Sequence, residues 1–310
     1  MRVLIAEDRR FSRQIIASAL EDWGYDVVAC SDGTEAWSIL RQSDSPQLAI
    51  LDWLMPGIDG PTLCEKLRER QGAPYVYTIL LTVRANAADV IAGLEAGADD
   101  YIAKPVARHE LRLRVRTGAR IIQLQKDLLA TQDALRHQAT HDSLTGLWNR
   151  AAGLDALERE LARCGRDQST LAVLLADIDH FKGVNDAHGH QVGDAVLREV
   201  AQTLAHSVRP YDVVARYGGE EFLCILPQSS AETAMTVAER LRARCESRPM
   251  VAAGADVRVT VTIGIGSGGE GCTAGGLIQM ADDGLYRAKA GGRNRVAAGS
   301  RQPASPAPTS

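Results

Sequence analysis

Five short apolar runs in the first 106 residues, RVLIA, DVVAC, QLAILDW, YTILLT and DDYIAKP, alternate with stretches of helical spacing. This rhythm leaves few folds open. A strand, a helix and another strand in regular succession return the chain to the same end of a sheet, so the strands run parallel with helices on both faces. A doubly wound α/β sheet of five strands is therefore expected. In such sheets ligands bind beyond the carboxyl ends of the strands.

Those ends carry the chemistry. Glu7 and Asp8 close the first run and Asp52 the third, which brings three carboxylates to one sheet edge. Left unpaired they would repel and raise one another's pKa, and a hard divalent cation such as Mg²⁺ relieves this. Lys104 at the end of the fifth run offers a cation for a transferred phosphoryl oxygen, and Thr82 at the end of the fourth offers a hydroxyl. Taken singly, each carboxylate reads as a cap or a solvated surface group. Together, the five polar residues read as a site.

The set resembles the receiver domain of two-component response regulators over residues 1–120, with LDWLMPGIDG and YIAKP as the specific matches. The resemblance implies a flavodoxin-like (βα)5 fold and a cognate histidine kinase that phosphorylates Asp52. It also implies Mg²⁺ on Glu7, Asp8, Asp52 and the Leu54 carbonyl, a switch formed by Thr82 and Tyr101, and Lys104 on the phosphoryl group. Val83 departs from the family, where a smaller residue follows the switch threonine. Narrower access to Asp52 would change phosphorylation and dephosphorylation rates.

From Val106 to Ala139 there is no proline and one glycine, and Ile121, Leu124, Leu128, Thr131 and Leu135 step by 3, 4, 3, 4. A helical linker over 107–140 follows. Its apolar stripe suits either an amphipathic helix lying on its own domain or an intermolecular coiled coil. The position between two domains favours the coiled coil.

Residues 140–298 form a second unit. The pattern predicts helices near 150–164, 192–207, 230–247 and 273–290, with strands at 171–176, 213–217, 222–226 and 257–264. A βαββαβ core of α+β class, with the hairpin central, is the simplest packing of that order. Residues 299–310 belong to a small, proline-rich tail without apolar period, expected to be disordered.

The hairpin RPYDVVARYGGEEF, residues 209–222, places Glu220 and Glu221 beside two glycines that permit positive φ and close ligand approach. Asp177, in LLADIDHFK, ends a neighbouring strand and could face Glu220 across the sheet edge to hold one or two metal ions. Metal beside triphosphate oxygens is the arrangement for in-line phosphoryl or nucleotidyl transfer. Lys289 and Arg293 lie four apart, on one helical face if the last helix persists that far, and could neutralise phosphates. The turn HFKGVND, beginning with His180 and Phe181, offers backbone N–H groups. Asn185 and Asp194 could read a base, since a carboxylate accepts from guanine N1–H and 2-amino together. Each could equally cap a helix.

These stretches closely resemble the GGDEF family of diguanylate cyclases, in its GGEEF variant, over about residues 140–298. The matches are DSLTGLWNR, DIDHFKGVND, GHQVGD, RYGGEEF, VTVTIGIG and LYRAKAGGRNRV. The resemblance implies a palm-like domain that condenses two GTP into cyclic di-GMP and two pyrophosphates across a homodimer, a tetramer being the larger alternative. Asp177, the Ile178 carbonyl and Glu220 would hold Mg²⁺ or Mn²⁺. Asn185 and Asp194 would read guanine, and His180, Phe181, Lys289 and Arg293 would bind phosphates. Glu221 would assist deprotonation of the ribose 3′-hydroxyl or join the metal set. Arg209 and Asp212 stand at the family's RxxD inhibitory spacing, which implies product binding and feedback inhibition; a surface ion pair is the plainer reading. Three rival functions remain: a non-catalytic cyclic di-GMP effector, a cyclase making a mixed adenine–guanine product, and a receiver that mainly docks a partner. Intact Glu220, Glu221, Asp177, Lys289 and Arg293 count against the first, and Asp194 against the second.

A net charge of −4 gives no general reason to expect nucleic acid or an anionic membrane as partner. The six cysteines show no metal-ligand spacing, and Cys30, Cys224 and Cys245 sit in apolar patterns as reduced, buried thiols. With no secretory segment and no apolar run long enough to span a bilayer, a cytoplasmic protein is expected.

Overall fold

The computed structural model describes residues 1–70, 72–83, 87–247, 250–252 and 255–300. The chain divides into two compact units, one ending at Asp133 and the next beginning at Ala134.

In the first unit β1 (Arg2–Ala6), β2 (Asp26–Cys30), β3 (Leu48–Asp52), β4 (Tyr77–Thr82) and β5 (Asp100–Ala103) form a parallel sheet ordered β2-β1-β3-β4-β5. The chain winds one way from β1 to β2 and the other way from β3 onward. The neighbouring ends of β1 and β3 therefore mark the switch point at which such folds hold ligands. Alternate residues of β1 feed two cores: Val3 and Ile5 pack with Ile16 and Leu20 of α1 (Arg10–Asp22), while Leu4 and Ala6 pack with Ala36 and Leu40 of α2 (Gly33–Leu40) and Leu63 of α3 (Gly60–Arg68). Because both faces are covered, these strands read as unbroken apolar runs. The side chains of Asp32 and Asp59 accept backbone N–H groups of Glu35 and Thr62, capping α2 and α3. The last two helices of this series are α4 (Ala87–Glu95) and α5 (Arg108–Thr140).

The two readings of the linker helix fall on different faces of α5. Leu111, Val115, Gly118 and Ile122 are buried on the first unit, where a Cβ at Gly118 would stand 2.5 Å from the Tyr77 ring. Ile121, Leu124, Leu128 and Leu135, the stripe with heptad spacing, are exposed, Leu128 by 67%. The docked face thus differs from the expected seam.

The second unit contains α6 (Arg150–Asp167), β6 (Leu171–Ile178), α7 (Phe181–His188), α8 (His190–Ala205), β7 (Val213–Arg216), β8 (Glu221–Pro227), α9 (Ala231–Ser247), β9 (Met250–Ala252), β10 (Ala255–Val257), β11 (Val261–Gly268), α10 (Ala274–Ala290) and β12 (Val296–Ala298). The main sheet is ordered β12-β11-β6-β8-β7, antiparallel except between β11 and β12. Three expectations need correction. The strand expected at 257–264 is β11, displaced to 261–268 behind a small β9–β10 hairpin. The stretch HFKGVND is a helix rather than a turn. And the β7–β8 hairpin is not central: β6, buried along its whole length, is the middle strand and β7 an edge. The tail from residue 301 lies outside the described residues.

Two glycines set the height of α10. A Cβ at Gly264 would overlap the Ala281 carbonyl oxygen and the Leu285 nitrogen, and one at Gly266 the Leu277 carbonyl oxygen. Helix backbone therefore rests directly on strand backbone. Cys30, Cys224 and Cys245 are free and buried, and burial pushes each thiol up to about 12. Among the described residues no helix is long and apolar enough to cross a membrane.

Replacing Gly264 by alanine should cost about 3 kcal/mol, the upper end for overpacking, because the obstructing atoms are backbone and cannot rotate away. Gly275→Ala, where a Cβ meets nothing within 4 Å, should instead stabilise by up to about 1 kcal/mol through helix propensity. Denaturant unfolding of the two variants measures the difference.

Candidate active site

The tip of the hairpin is closed by backbone. The Glu221 carbonyl accepts from the N–H groups of Tyr217 (2.8 Å) and Gly218 (3.2 Å), and the Glu220 carbonyl accepts from Ile178 N–H (3.3 Å), tying the tip to the end of β6. Neither Gly218 nor Gly219 is left-handed, contrary to the conformational freedom expected of them. Their use is spatial. A Cβ on Gly218 would lie 2.5 Å from Glu221 Oε2, whereas the space beside Gly219 is open.

Asp177 and Glu221 are register partners across β6 and β8. Asp177 is buried, and its Oδ2 lies 2.7 Å from Lys289 Nζ. Burial pushes its carboxyl above the ordinary range; Lys289 opposes this, Asp179 adds to it, and the charge of Arg293 opposes it. Glu220 is raised too, by burial first, then by Asp177 and Glu221 against Lys289. Two carboxylates held reluctantly in charged form beside a third would be relieved by a hard cation. Among the described residues, however, the group of three whose oxygens already lie within 4.8 Å of one another is Glu7, Asp8 and Asp52 of the first unit. Lys289 and Arg293 do not share a helical face, because α10 stops at Ala290 and Arg293 lies beyond it with φ of 61°.

Asn185 and Asp194 sit within helices, Asn185 in α7 and Asp194 in α8, and neither caps one. The residues at the helix starts are His180 and Gly189, without side-chain caps. A Cβ on Gly193 would overlap Asn185 Oδ1, so the amide rests against the glycine just before Asp194. Among the described residues neither side chain has a hydrogen-bond or ion-pair partner. Their polar edges are free for a ligand. Phe181 is buried and anchors the start of α7, whose first N–H groups have no helical acceptor. His180, with φ of 57°, turns the chain into it.

Arg209 and Asp212 form a tight turn. Asp212 Oδ2 accepts the Arg209 backbone N–H at 2.8 Å, and Asp212 N–H donates to the Arg209 carbonyl at 3.0 Å. The Arg209 guanidinium donates to the Tyr211 hydroxyl (2.9 Å) and lies over that ring (5.8 Å). The plain surface ion pair between the two side chains is not formed. Burial raises the Asp212 carboxyl, and its Oδ1 is buried without a partner.

In the first unit, Lys104 Nζ lies 2.7 Å from both Glu7 Oε2 and Asp52 Oδ2. The carboxylate oxygens of Glu7, Asp8 and Asp52 gather within 4.8 Å of one another. Glu7 is fully buried and raised, by burial first and by Asp52, against Lys104. Asp8, Arg9, Asp52, Trp53, Leu54, Thr82, Val83 and Lys104 line a cavity of about 140 Å³. Val83 stands at its mouth, 62% exposed, while Thr82 is buried and Tyr101 half-buried.

Comparison with known proteins follows the same division. A family model described as "Diguanylate cyclase, GGDEF domain" matches residues 139–295, about half the chain. The chain belongs to the GGDEF family. A response regulator receiver model matches residues 3–116. Response regulator PleD of Caulobacter vibrioides is 34% identical over 298 residues, covering 95% of this chain. Diguanylate cyclase DgcP of Pseudomonas aeruginosa is 39% identical over 211 residues, or 66% of this chain. The chain spans 65% of the length of PleD and 31% of DgcP. Among solved structures, the coiled coil and GGDEF domain of DgcB from Caulobacter crescentus, in complex with c-di-GMP, matches at 36% identity and a TM-score of 0.54. That match covers 62% of this chain and 99% of DgcB's solved chain.

Within the GGDEF domain, sequence reasoning passed over the brace of the hairpin. Arg216 donates through Nη2 to the Gly219 carbonyl (2.8 Å) and through Nη1 to Asp142 Oδ1 and Oδ2 (3.1 and 3.2 Å). Asp142 Oδ1 also accepts from the Thr145 N–H and hydroxyl. Burial alone would raise Asp142, but Thr145 and then Arg216 outweigh it and hold the carboxyl below the usual range. The signal was present, since Arg216 immediately precedes YGG and Asp142 opens DSLTG, but only the three-dimensional pairing shows its use. Asp179 was missed as well. It lies within DIDHFK, yet it accepts from a loop more than a hundred residues away.

A carboxyl with a depressed folded-state pKa contributes stability at pH above its unfolded value and loses it as pH falls through the folded value. Asp142→Asn should therefore cost the GGDEF domain about 1–3 kcal/mol near neutrality. That gap from wild type should close as pH falls below about 3.8, the ordinary Asp value. Unfolding of both proteins across an acid series checks it; a gap independent of pH would refute the assignment.

Proposed function

We propose that this chain is a diguanylate cyclase under receiver control, condensing two GTP into cyclic di-GMP with release of two pyrophosphates. The observation that carries the reading is the convergence of Asp177, Glu220 and Glu221 at one sheet edge under Lys289, in the same domain as the unpartnered Asn185 and Asp194. Its family, PleD and DgcP among its relatives, and a DgcB structure that contains c-di-GMP support it.

The residues divide the work by chemistry. Asp194 accepts from guanine N1–H and the 2-amino group, a pair adenine lacks, and Asn185 adds an amide. Lys289 and Arg293, with the N–H groups of Phe181 and its neighbours, bind the β- and γ-phosphates. Glu221 takes the proton of the ribose 3′-hydroxyl. The 3′-oxygen then bonds to the α-phosphorus of the other nucleotide, the bond from that phosphorus to the β-phosphate bridging oxygen breaks, and pyrophosphate leaves with the electron pair. Asp177, the Ile178 carbonyl and Glu220 would hold a divalent ion, Mg²⁺ or Mn²⁺, which would supply charge neutralisation on the triphosphate. Each domain holds one GTP, so a cyclic product requires two domains facing each other antiparallel.

Control enters through the receiver. A histidine kinase phosphorylates Asp52; Glu7, Asp8, Asp52 and the Leu54 carbonyl would hold Mg²⁺; Lys104 grips the phosphoryl group; and Thr82 and Tyr101 report it. The exposed stripe of α5 supplies the dimer seam that aligns the GTP-loaded domains. Cyclic di-GMP returns to Arg209 and Asp212 as inhibitor, the guanidinium stacking on a base or donating to phosphate.

Purified protein given GTP and Mg²⁺ should release cyclic di-GMP and pyrophosphate at a ratio of one to two, faster when beryllofluoride mimics phospho-Asp52. A rate indifferent to the mimic would discard the switch and keep the enzyme. Cyclic di-GMP binding without turnover would leave only an effector. Glu221→Gln should retain GTP binding and lose about a hundredfold or more in rate, measured as single-turnover pyrophosphate release.

A further inference from the structure

Between α10 and β12 the chain makes an unusual backbone excursion. Gly292, Arg293 and Asn294 are consecutively left-handed, with φ of 112°, 61° and 46°. Two adjacent non-glycine residues persist there only where their surroundings over-determine the conformation. Arg293 N–H donates to the Ala288 carbonyl at 3.2 Å, which fixes its backbone. Its guanidinium has no hydrogen-bond or ion-pair partner among the described residues.

The surroundings converge on Asn294. Its backbone N–H donates to Asp179 Oδ2 and Thr262 Oγ1, both at 3.1 Å. Its side-chain carbonyl accepts from Arg242 Nη1 at 2.8 Å, and its Nδ2 donates to Glu246 Oε1 at 2.8 Å. Both anchors are themselves held. Asp179, 5% exposed, accepts the hydroxyls of Thr260 (2.7 Å) and Thr262 (2.5 Å). Arg242 pairs with Glu239 and Glu246 along α9 at 2.9 and 2.8 Å. One asparagine thus spans from a buried carboxylate two residues past Asp177 to an outer helix that carries no residue of the proposed site.

We infer that Asn294 is a positioning residue for polyphosphate binding: clamped between Asp179 and the Arg242–Glu246 pair, it fixes the left-handed turn that presents Arg293 to the β- and γ-phosphates. This deepens the proposed function and rests on its reading of Lys289 and Arg293. Neither Asn294 nor Arg242 touches the nucleotide. A residue acting this way affects ligands that carry the outer phosphates and spares those that do not.

The test uses the full chain with Mg²⁺ and compares 3′-deoxy-GTP with GMP, in competition against a fluorescent GTP that also lacks the 3′-hydroxyl, so that no nucleophile is present and nothing turns over. Asn294→Ala and Arg242→Met should each weaken 3′-deoxy-GTP about tenfold, the scale of one misplaced charged hydrogen bond, and leave GMP unchanged. Asn294→Gly, which accepts the left-handed backbone but lacks the side-chain anchors, should resemble alanine. Circular dichroism and denaturant midpoints confirm that each variant is folded, and Arg242→Met, on α9, reports even if the loop variants do not fold. Equal loss for both nucleotides, no loss for either, or a glycine variant that binds like wild type would overturn the inference. Wild type unable to bind 3′-deoxy-GTP would overturn the site reading itself, and this inference with it.

Discussion

The seating of α10 on β11 is the contact on which the second domain's chemistry depends. Gly264 and Gly266 remove the side chains that would otherwise hold the helix off the sheet, and helix backbone settles onto strand backbone. Lys289 is thereby brought within 2.7 Å of Asp177 at the end of the neighbouring β6. Gly299 is as confined, since a Cβ there would overlap the Met280 carbonyl oxygen on the same helix. A side chain at a helix surface can change rotamer, but a carbonyl oxygen in a helix cannot retreat without moving the helix.

The two domains solve one electrostatic problem in the same way. Each gathers carboxylates at the ends of strands, and each answers with a lysine from an element later in the chain. Lys104 bridges Glu7 and Asp52, and Lys289 pairs with Asp177. A lysine suits the role because its ammonium is a compact charge on a flexible stem, able to stay near the cluster while its partner changes. Glu7, Asp177 and Glu220 are raised by burial first and by a neighbouring carboxylate as well.

What could be read from the sequence follows from how local each signal is. The inner strands of the receiver, β1, β3 and β4, were legible because both faces of the sheet are buried there, so each is an apolar run ended by polar residues. Asp52, Asp177 and Glu220 were legible for the same reason, as charges at the end of such runs. Helix α7 was not, because FKGVNDAH carries glycine, asparagine and aspartate and buries only Phe181. The β9–β10 hairpin was too short to announce itself. Residues whose function is to hold others, Asp142, Arg216, Asp179 and Asn294, are invisible to periodicity, since their partners lie 74 residues away for Arg216 and 115 for Asn294. The exchange of faces on α5 has a simpler cause. The helix has two apolar stripes, and spacing alone does not say which one the first domain covers.

Asp142 lies two residues beyond Thr140, where α5 ends, and a single guanidinium joins it to the carbonyl of Gly219. The same short segment is stitched further by Asn149, whose side chain donates to the Ala139 carbonyl at 2.7 Å, and by Arg216 N–H, which donates to the Trp148 carbonyl at 2.8 Å. The end of the long helix and the tip of the hairpin are thus members of one truss. Torque applied about the axis of α5 has a stiff path, a few bonds long, to the loop that carries Glu220 and Glu221.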